Sequence, residues 1–457
     1  MSNVVDRTSV PEGLPLRPYS FPAIERAELS NGLPILVART SHFPVVTLSA
    51  ILPAGGVQEQ GDRAGLATLT NSLLESGAAG RSALDIAESL EGLGVRMKAS
   101  TSWDVSLVGY TSLASRADAA SEILGSMVRS PDFPPAEVER IRQEQLADIV
   151  QRRAEPRGLA NEMVARFIYS EDTPYRRPLG GTAATVEGLT RSDAAAFHSE
   201  CYSPRGAAVV VAGHIDVQSA IELAEARFGD WVGPVVQRPR IAVRPLREST
   251  RVVIVDRPGA VQSEIRIGHI GLARDTPDYF PVIVMNTILG GAFSSRLNLN
   301  LRERHGYTYG VSSSFSMRKD TGLFLVSTAV QTEVTSAAVR EILNEVEGIR
   351  DSKVSDRELD DARNYLAGTF PLRLQTTDGI ASRLAELLIY ELPDDYFSDY
   401  RDRIVEVGRA EVLDAARAHI RPEHFAVVVV GDASAIREPL ESLDIGPVEV
   451  VDALTLP

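Results

Sequence analysis

Hydrophobic and polar positions alternate along this chain with the period of a helix in some stretches and of a strand in others. The stretch from Asp62 to Gly77 has the helical period and predicts one amphipathic helix, capped by Asp62 and closed by Gly77. Its apolar face carries Leu66, Leu69, Leu73 and Leu74. Its polar face carries Thr68, Asn71, Ser72 and Glu75, which the helical spacing places in one stripe.

The rest of the chain reads as a mixture of strands and helices. Residues 1 to about 25 are predicted to be irregular, because they contain Pro11, Pro15, Pro18 and Pro22. Strands are predicted over 34–39, 45–52, 95–102, 104–112 and 207–212. Further helices are predicted over 82–92, 117–129, 136–154, 158–169, 191–201 and 216–228, with Thr190 and Asp193 in a capping arrangement.

Two segments of the first half recur in the second half. GLANEMVARFIY at 158–169 matches GIASRLAELLIY at 379–390, and SPRGAAVVVAGHID at 203–216 matches RPEHFAVVVVGDAS at 421–434. The two offsets, taken between the shared glycines, are 379 − 158 = 221 and 431 − 213 = 218 positions. A period of this length indicates a duplicated domain, because the units of solenoid proteins are several-fold shorter.

Prolines and arginines concentrate between the two halves, over 233–250, in a pattern typical of a semi-extended linker. The sequence therefore predicts an N-terminal arm over 1–27, a first domain over 28–232 and a second domain over 251–457. The fold class expected is α+β: two homologous α/β domains, each an antiparallel-rich sheet packed with helices.

The net charge of −15 argues against nucleic acid or an anionic membrane as the main partner, since both select basic surfaces. Cys201 is the single cysteine, so an internal disulfide is excluded, and it is read as a half-buried small hydrophobe. The N-terminus lacks a signal-peptide pattern and no apolar run is long enough to span a bilayer. A cytoplasmic protein is expected, or a periplasmic one if a signal peptide was removed.

The polar stripe of the first predicted helix has the spacing of the H-x-x-E-H zinc motif. In that motif two histidines one turn apart bind Zn²⁺ and the glutamate acts as general base on the bound water. Here the five positions 68–72 read T-L-T-N-S. Neutral hydroxyls are poor zinc ligands and the amide of Asn71 cannot accept a proton from water, so the chemistry of the motif is missing.

The duplicated unit, this helix and the string SSRLNLNLRERHGYTYGVSSSF at 294–315 together resemble the M16 peptidase family, which includes insulinase, pitrilysin and the mitochondrial processing peptidase. The resemblance spans about residues 28–440. It is strongest to short bacterial chains that work in pairs, of which one carries H-x-x-E-H and the other lacks it. It implies that this chain forms half of a clamshell around a peptide chamber.

Carried onto this chain, the zinc-binding histidine positions of the family fall on Thr68 and Ser72, and the base position falls on Asn71. The third ligand falls near Asp148, which keeps a carboxylate. One carboxylate does not replace three protein ligands, so no metal and no cofactor is expected in this chain. The seven histidines show no i, i+3 or i, i+4 pair that would make another metal helix.

The family's arginine and tyrosine, seven residues apart, are present as Arg302 and Tyr309. The resemblance implies that they reach across the chamber to the substrate, with Arg302 in the last turn of a helix ended by Gly306 and Tyr309 early in the next strand. Gly290 and Gly291 fit either close backbone approach to a neighbouring chain or peptide, or tight helix packing. Lys98, Ala99 and Ser100 lie where active family members bind substrate as an added strand, although Lys98 replaces the usual asparagine.

Three functions are compatible with these residues. The first is a non-catalytic subunit of a heterodimeric zinc metallopeptidase, in which a homologous partner with intact H-x-x-E-H supplies the zinc and Arg302 and Tyr309 bind the peptide substrate. The second is a non-enzymatic structural or assembly protein of the same fold. The third, a peptidase with an unorthodox site, is favoured least because Asn71 leaves no base at the expected position.

Overall fold

The computed structural model describes residues 16–452, which fold into two α/β domains built on the same plan. Most of the predicted N-terminal arm, residues 1–15, lies outside the described residues, as do residues 453–457. Strand β1, Ile24–Glu28, pairs antiparallel with the next strand, so the prediction of irregular structure up to residue 25 is wrong at its end. Within residues 16–452 no helix is long and apolar enough to cross a membrane.

The first domain is a mixed sheet with helices packed on it. After β1 its strands are β2 Pro34–Arg39, β3 Val45–Leu52, β4 Gly77–Ala78, β5 Arg81–Ser82, β6 Arg96–Thr101, β7 Ser106–Leu113 and β8 Ala208–Gly213. Its helices are α1 Leu66–Ser72, α2 Ala83–Leu93, α3 Ala117–Arg129, α4 Pro135–Ala154, α5 Pro156–Ile168, α6 Ala183–Glu187, α7 Arg191–Cys201 and α8 Val217–Phe228. The Thr190 and Asp193 capping box at the start of α7 confirms that prediction.

The second domain repeats this order of elements. Its strands are β9 Arg251–Asp256, β10 Gln262–Ile270, β11 Val311–Ser316, β12 Leu323–Gln331, β13 Ala426–Gly431 and β14 Val448–Asp452. Its helices are α9 Tyr279–Asn286, α10 Thr335–Asp351, α11 Asp356–Arg373, α12 Thr377–Ile389, α13 Tyr400–Glu406, α14 Arg409–His419 and α15 Ala433–Glu441. Two π-helical segments, Thr287–Gly291 and Asn298–Arg304, lie between α9 and β11.

The two six-stranded sheets described for residues 16–452 share the topology of five strands, while the sixth strand differs: β1 pairs antiparallel with β2, and β14 pairs parallel with β9. Their orders are β1-β2-β8-β3-β7-β6 and β14-β9-β13-β10-β12-β11. In each, one central pair is parallel, β2 with β8 or β9 with β13, and the three following pairs are antiparallel. The predicted fold class, two homologous α/β domains with antiparallel-rich sheets, is therefore confirmed.

Each domain lends one helix to the sheet of the other. Helix α5 packs on β10 and β13, while α12 packs on β3 and β8. These are the helices of the first repeated segment, and each contains the shared glycine of that segment. A Cβ on Gly158 or on Gly379 would lie 2.1 Å from a carbonyl oxygen near the end of the preceding helix, that of Arg152 or Arg373, so both positions require glycine. The first repeated segment thus forms the two helices that pack across the junction, one from each domain, and join the domains.

The linker 233–250 crosses the junction in extended form and is anchored to both domains. Arg238 reaches Asp104 of the first domain at 2.6 Å and Asp320 of the second at 2.7 Å. Burial alone would lower the pKa of Arg238, but the hydrogen bonds to the two carboxylates raise it above its ordinary value. The linker therefore connects the two domains through the ion pairs of this residue.

Candidate functional site

The helix that carries the zinc-motif positions begins later than its sequence predicts. Gly65 has φ +94°, which ends the preceding turn, and α1 starts at Leu66. The prediction that Asp62 caps this helix is wrong. The carboxylate of Glu59 does so, accepting hydrogen bonds from the backbone N–H groups of Gly65 at 3.1 Å and Ala67 at 2.8 Å.

Glu59 is the most enclosed carboxylate near this helix, and sequence reasoning missed it. Its side chain is 0% exposed and lies 3.2 Å from a guanidinium nitrogen of Arg177. Burial raises the pKa of Glu59, while the backbone N–H donors and Arg177 act in the opposite direction. The only available signal was its place six residues before Gly65, which is not a standard capping distance.

The polar stripe predicted on this helix does not form one exposed face. Thr68 is half-buried, and its hydroxyl donates to the carbonyl of Leu179 at 3.4 Å. Asn71 is only 3% exposed, and its side-chain oxygen accepts from the Tyr202 hydroxyl at 3.5 Å. Ser72 is exposed at the end of the helix. Asn71 therefore belongs to the packed interior rather than to a reactive surface.

The third zinc position, Asp148, is exposed on α4, which packs alongside α1. The packing is fixed by Gln145, one turn earlier, whose amide donates to the carbonyls of Gly65 at 3.1 Å and Gly180 at 2.9 Å. Across residues 16–452, no three His, Cys, Asp or Glu side chains gather as a metal-binding group. Two hydroxyls, one amide and one distant carboxylate do not fit zinc, so no step of chemistry is assigned to a metal in this chain.

Arg302 lies in the π-helical segment Asn298–Arg304, whose C-cap is His305; Gly306 follows with φ +64°, the conformation in which glycine terminates a helix. Its guanidinium carbon stacks 4.2 Å from the ring centroid of Phe293, a side chain that is itself 70% exposed. The nearest carboxylate, Glu303, is 3.5 Å away. Arg302 is thus half-buried, with a side chain 32% exposed, and its Nη1 has no hydrogen-bond partner within residues 16–452.

Tyr309 does not lie in the following strand, because β11 begins at Val311. It occupies the turn before the strand and is 98% exposed. The turn is hydrogen-bonded to strand β12, where the Thr328 hydroxyl donates to the Thr308 hydroxyl and to the Gly310 carbonyl, both at 3.0 Å. The backbone on either side of Tyr309 is therefore anchored while its phenol projects into solvent.

Asn298 joins the two ends of this segment. Its amide nitrogen donates to the Val311 carbonyl at 2.8 Å, and its amide oxygen accepts from the Val311 N–H at 3.2 Å. Sequence reasoning missed both Asn298 and Phe293. Asn298 lies within the string at 294–315 and Phe293 lies just before it, but the spacing of residues did not show that this segment folds back on itself.

The glycines before this segment serve packing. A Cβ on Gly290 would lie 2.6 Å from the backbone nitrogen of Ser313 in β11, and a Cβ on Gly291 would lie 3.0 Å from the side chain of Asn286. Of the two readings, the structure favours tight packing of the π-helical segment Thr287–Gly291 on β11.

The edge strand β6 is exposed along most of its length and, within the part of the chain described, pairs only with β7. Lys98 on this strand makes an ion pair of 2.6 Å with Asp378 at the start of α12. Both side chains are about half exposed, so this contact adds little stability. Cys201 is buried, and burial raises the pKa of its thiol to about 12, in keeping with a packing role.

Two family models match this chain. The model described as insulinase (peptidase family M16) matches residues 35–183, and the model described as peptidase M16 inactive domain matches residues 188–366. The two matches together cover most of both domains.

Similar proteins agree with these models. Proteins described as uncharacterized zinc proteases share 25% identity in Mycobacterium tuberculosis, covering 92% of this chain and 96% of the relative, and 26% in Streptomyces coelicolor, covering 92% of each. The crystal structure of a peptidase M16 inactive domain from Pseudomonas fluorescens superposes with a TM-score of 0.84 at 25% identity, covering 90% of this chain and 98% of that one. A protease from Helicobacter pylori, 19% identical, shares the fold with a TM-score of 0.83 and covers 90% of this chain and 99% of that one.

Proposed function

Since the chain belongs to the M16 peptidase family, we propose that it is the non-catalytic subunit of a heterodimeric zinc metallopeptidase. Its partner is a homologous chain with an intact H-x-x-E-H motif, which supplies the zinc, its ligands and the general base. This chain supplies half of a closed peptide chamber and the pair Arg302 and Tyr309. It works in the cytoplasm.

The observation that carries this proposal is that α1 lacks the side chains of the zinc motif. The M16 fold is retained, yet the positions of the motif hold Thr68, Asn71 and Ser72, and Asn71 has become part of the core. A subunit that had to bind zinc there would need imidazoles on an accessible face. The retained fold together with the lost donors favours a chain that completes the site of another subunit.

Arg302 and Tyr309 supply the contribution of this chain to the reaction. A guanidinium and a phenol both donate hydrogen bonds, and they strengthen as the scissile carbonyl oxygen becomes negative in the transition state. Tyr309 is 98% exposed, and Arg302 is 32% exposed with an Nη1 that has no hydrogen-bond partner in the described part of the chain, so both side chains keep donors for a peptide bound between two subunits. This chain itself transfers no proton to or from the substrate.

The experiment is hydrolysis of a quenched fluorescent peptide by this chain alone with added zinc, then by the chain mixed with its H-x-x-E-H partner. Cleavage only in the mixture, abolished by a chelator, is the expected result. Chelator-sensitive cleavage by the chain alone would overturn the proposal. Stable association with partners that all lack H-x-x-E-H, without cleavage, would instead establish the structural or assembly role.

A further inference from the structure

A cavity of about 290 Å³ lies where the linker meets the second sheet, far in sequence from the zinc-motif positions. Its charged and titratable walls are Arg247 and Glu248 of the linker, Arg251 of β9, His269 of β10, and Arg421 and His424 before β13. Three guanidinium groups thus face one carboxylate. In a chain with a net charge of −15, this is a local concentration of positive charge.

Arg251 is the buried member of this set, with a side chain 10% exposed. Its Nε has no hydrogen-bond partner, and its bond from Nη2 to the Phe167 carbonyl is long, at 3.4 Å. The nearest carboxylate, that of Glu449, lies 3.9 Å away on an exposed side chain. A buried guanidinium with such weak partners is costly unless an anion completes its hydrogen bonds.

Among the described residues, the arginines at the rim of the cavity also lack a carboxylate partner. Within residues 16–452, neither Arg247 nor Arg421 makes an ion pair. Nδ1 of His424 makes a hydrogen bond of 2.8 Å with the Glu248 carbonyl, and Nε2 takes no part in that bond. The three arginines come from two distant parts of the chain, so folding rather than local sequence collects them.

We propose that this cavity binds a small molecule through a phosphate group. Guanidinium groups match the oxygens of phosphate in pairs and remain charged at all physiological pH values. The volume suits a phosphate or a compact phosphate monoester and lies near the lower end of the range for small-molecule sites. The bound group would connect the linker, through Arg247, to the second domain, through Arg251 and Arg421.

The test is isothermal titration of the purified full-length chain, without a partner subunit, at constant ionic strength. Inorganic phosphate and phenyl phosphate are the two ligands, and acetate is the carboxylate comparison. Phosphate and phenyl phosphate are expected to bind and acetate to bind more weakly. Tighter binding of phenyl phosphate would identify a monoester as the natural ligand, and equal binding would identify free phosphate.

The variants are Arg251→Gln and Arg421→Gln, each expected to weaken binding by about tenfold or more, which is the usual effect of losing a charge-assisted hydrogen bond. Arg421 is exposed, so its variant remains informative if Arg251→Gln folds poorly. The matched control is Arg240→Gln, an exposed linker arginine outside the cavity, which is expected to bind like the parent chain.

Three results would overturn the assignment: no heat of binding with millimolar phosphate, acetate binding as tightly as phosphate, or equal weakening by Arg240→Gln. None of these results depends on proteolysis, so they leave the peptidase proposal untouched.

Discussion

The two domains share the topology of five sheet strands but differ in where their polar side chains lie. In the first domain, Asn71 is buried and the buried carboxylate of Glu59 caps α1. In the second domain, Tyr309 is 98% exposed on an anchored turn, and Arg302 rests on an exposed phenylalanine. Asn71 and Glu59 contribute to packing and capping, whereas Tyr309 is exposed without a structural role for its phenol and the half-buried Arg302 keeps a guanidinium nitrogen without a hydrogen-bond partner among the described residues. Polar groups left without a structural role are what point to function in the second domain.

The largest effect is expected from Glu59→Ala in the first domain. The change leaves two backbone N–H groups and the guanidinium of Arg177 without their buried partner. A loss of about 3 to 5 kcal/mol in the free energy of unfolding is expected, as for other broken buried ion pairs. Urea denaturation measures it. The control is Asp62→Ala, an exposed neighbour, and a larger loss there would show that Asp62 is the cap after all.

In the second domain, Arg302→Ala is expected to lower kcat/KM of the two-subunit complex. The loss corresponds to about 2 to 4 kcal/mol of transition-state stabilisation, the range seen for oxyanion donors. Stability of the isolated chain is expected to change little. Arg304→Ala, two residues along the same π-helical segment and exposed, is the matched control. Equal rates for the parent and the Arg302 variant would remove the role assigned to this residue.

The next largest effect is expected in the pH dependence of stability, through a buried histidine of the second domain. Burial lowers the pKa of His269 to about 4, so the folded state keeps this imidazole neutral while the unfolded state takes up a proton below about pH 6.5. Stability is therefore lost as pH falls from about 6.5 towards 4, by roughly 2 to 3 kcal/mol from this group.

His269→Phe keeps the stacking on Phe324 and Phe425 and removes the titration, so the unfolding free energy is expected to depend less on pH in this window. His198→Phe in the first domain is the comparison. Burial lowers the pKa of both histidines, and in both a hydrogen bond to a backbone carbonyl, of Val128 for His198 and of Ile270 for His269, opposes the shift. A larger effect from His198 would reverse the expected order.

The smallest change in stability is expected from Tyr309→Ala. The side chain is almost entirely in solvent, so the free energy of unfolding should change by less than about 0.5 kcal/mol. Turnover of the complex should fall all the same, since the phenol is proposed to bind substrate. Thermal unfolding and peptide hydrolysis on the same preparation measure both. A large loss of stability would mean that the exposed turn is structural.

The amino-acid sequence by itself determined the duplication, the family, and the replacement of the zinc motif's histidines and glutamate by Thr68, Ser72 and Asn71. The matching segments at 158–169 and 379–390 carry the repeat, and the string at 294–315 carries the resemblance. These features depend on residue identity and short spacing, which hydrophobic periodicity and donor chemistry can interpret without a fold.

Only the tertiary structure decided how these parts are used. It exchanged α5 and α12 between the two sheets, buried Asn71, replaced Asp62 with Glu59 as the helix cap, and left Tyr309 in a turn. It also brought Arg251 and Arg421 to one cavity from positions 170 residues apart, 421 − 251 = 170. The physical reason is common to all of these. Local periodicity shows which face of an element is apolar, whereas burial and hydrogen-bond partners depend on which distant element covers that face.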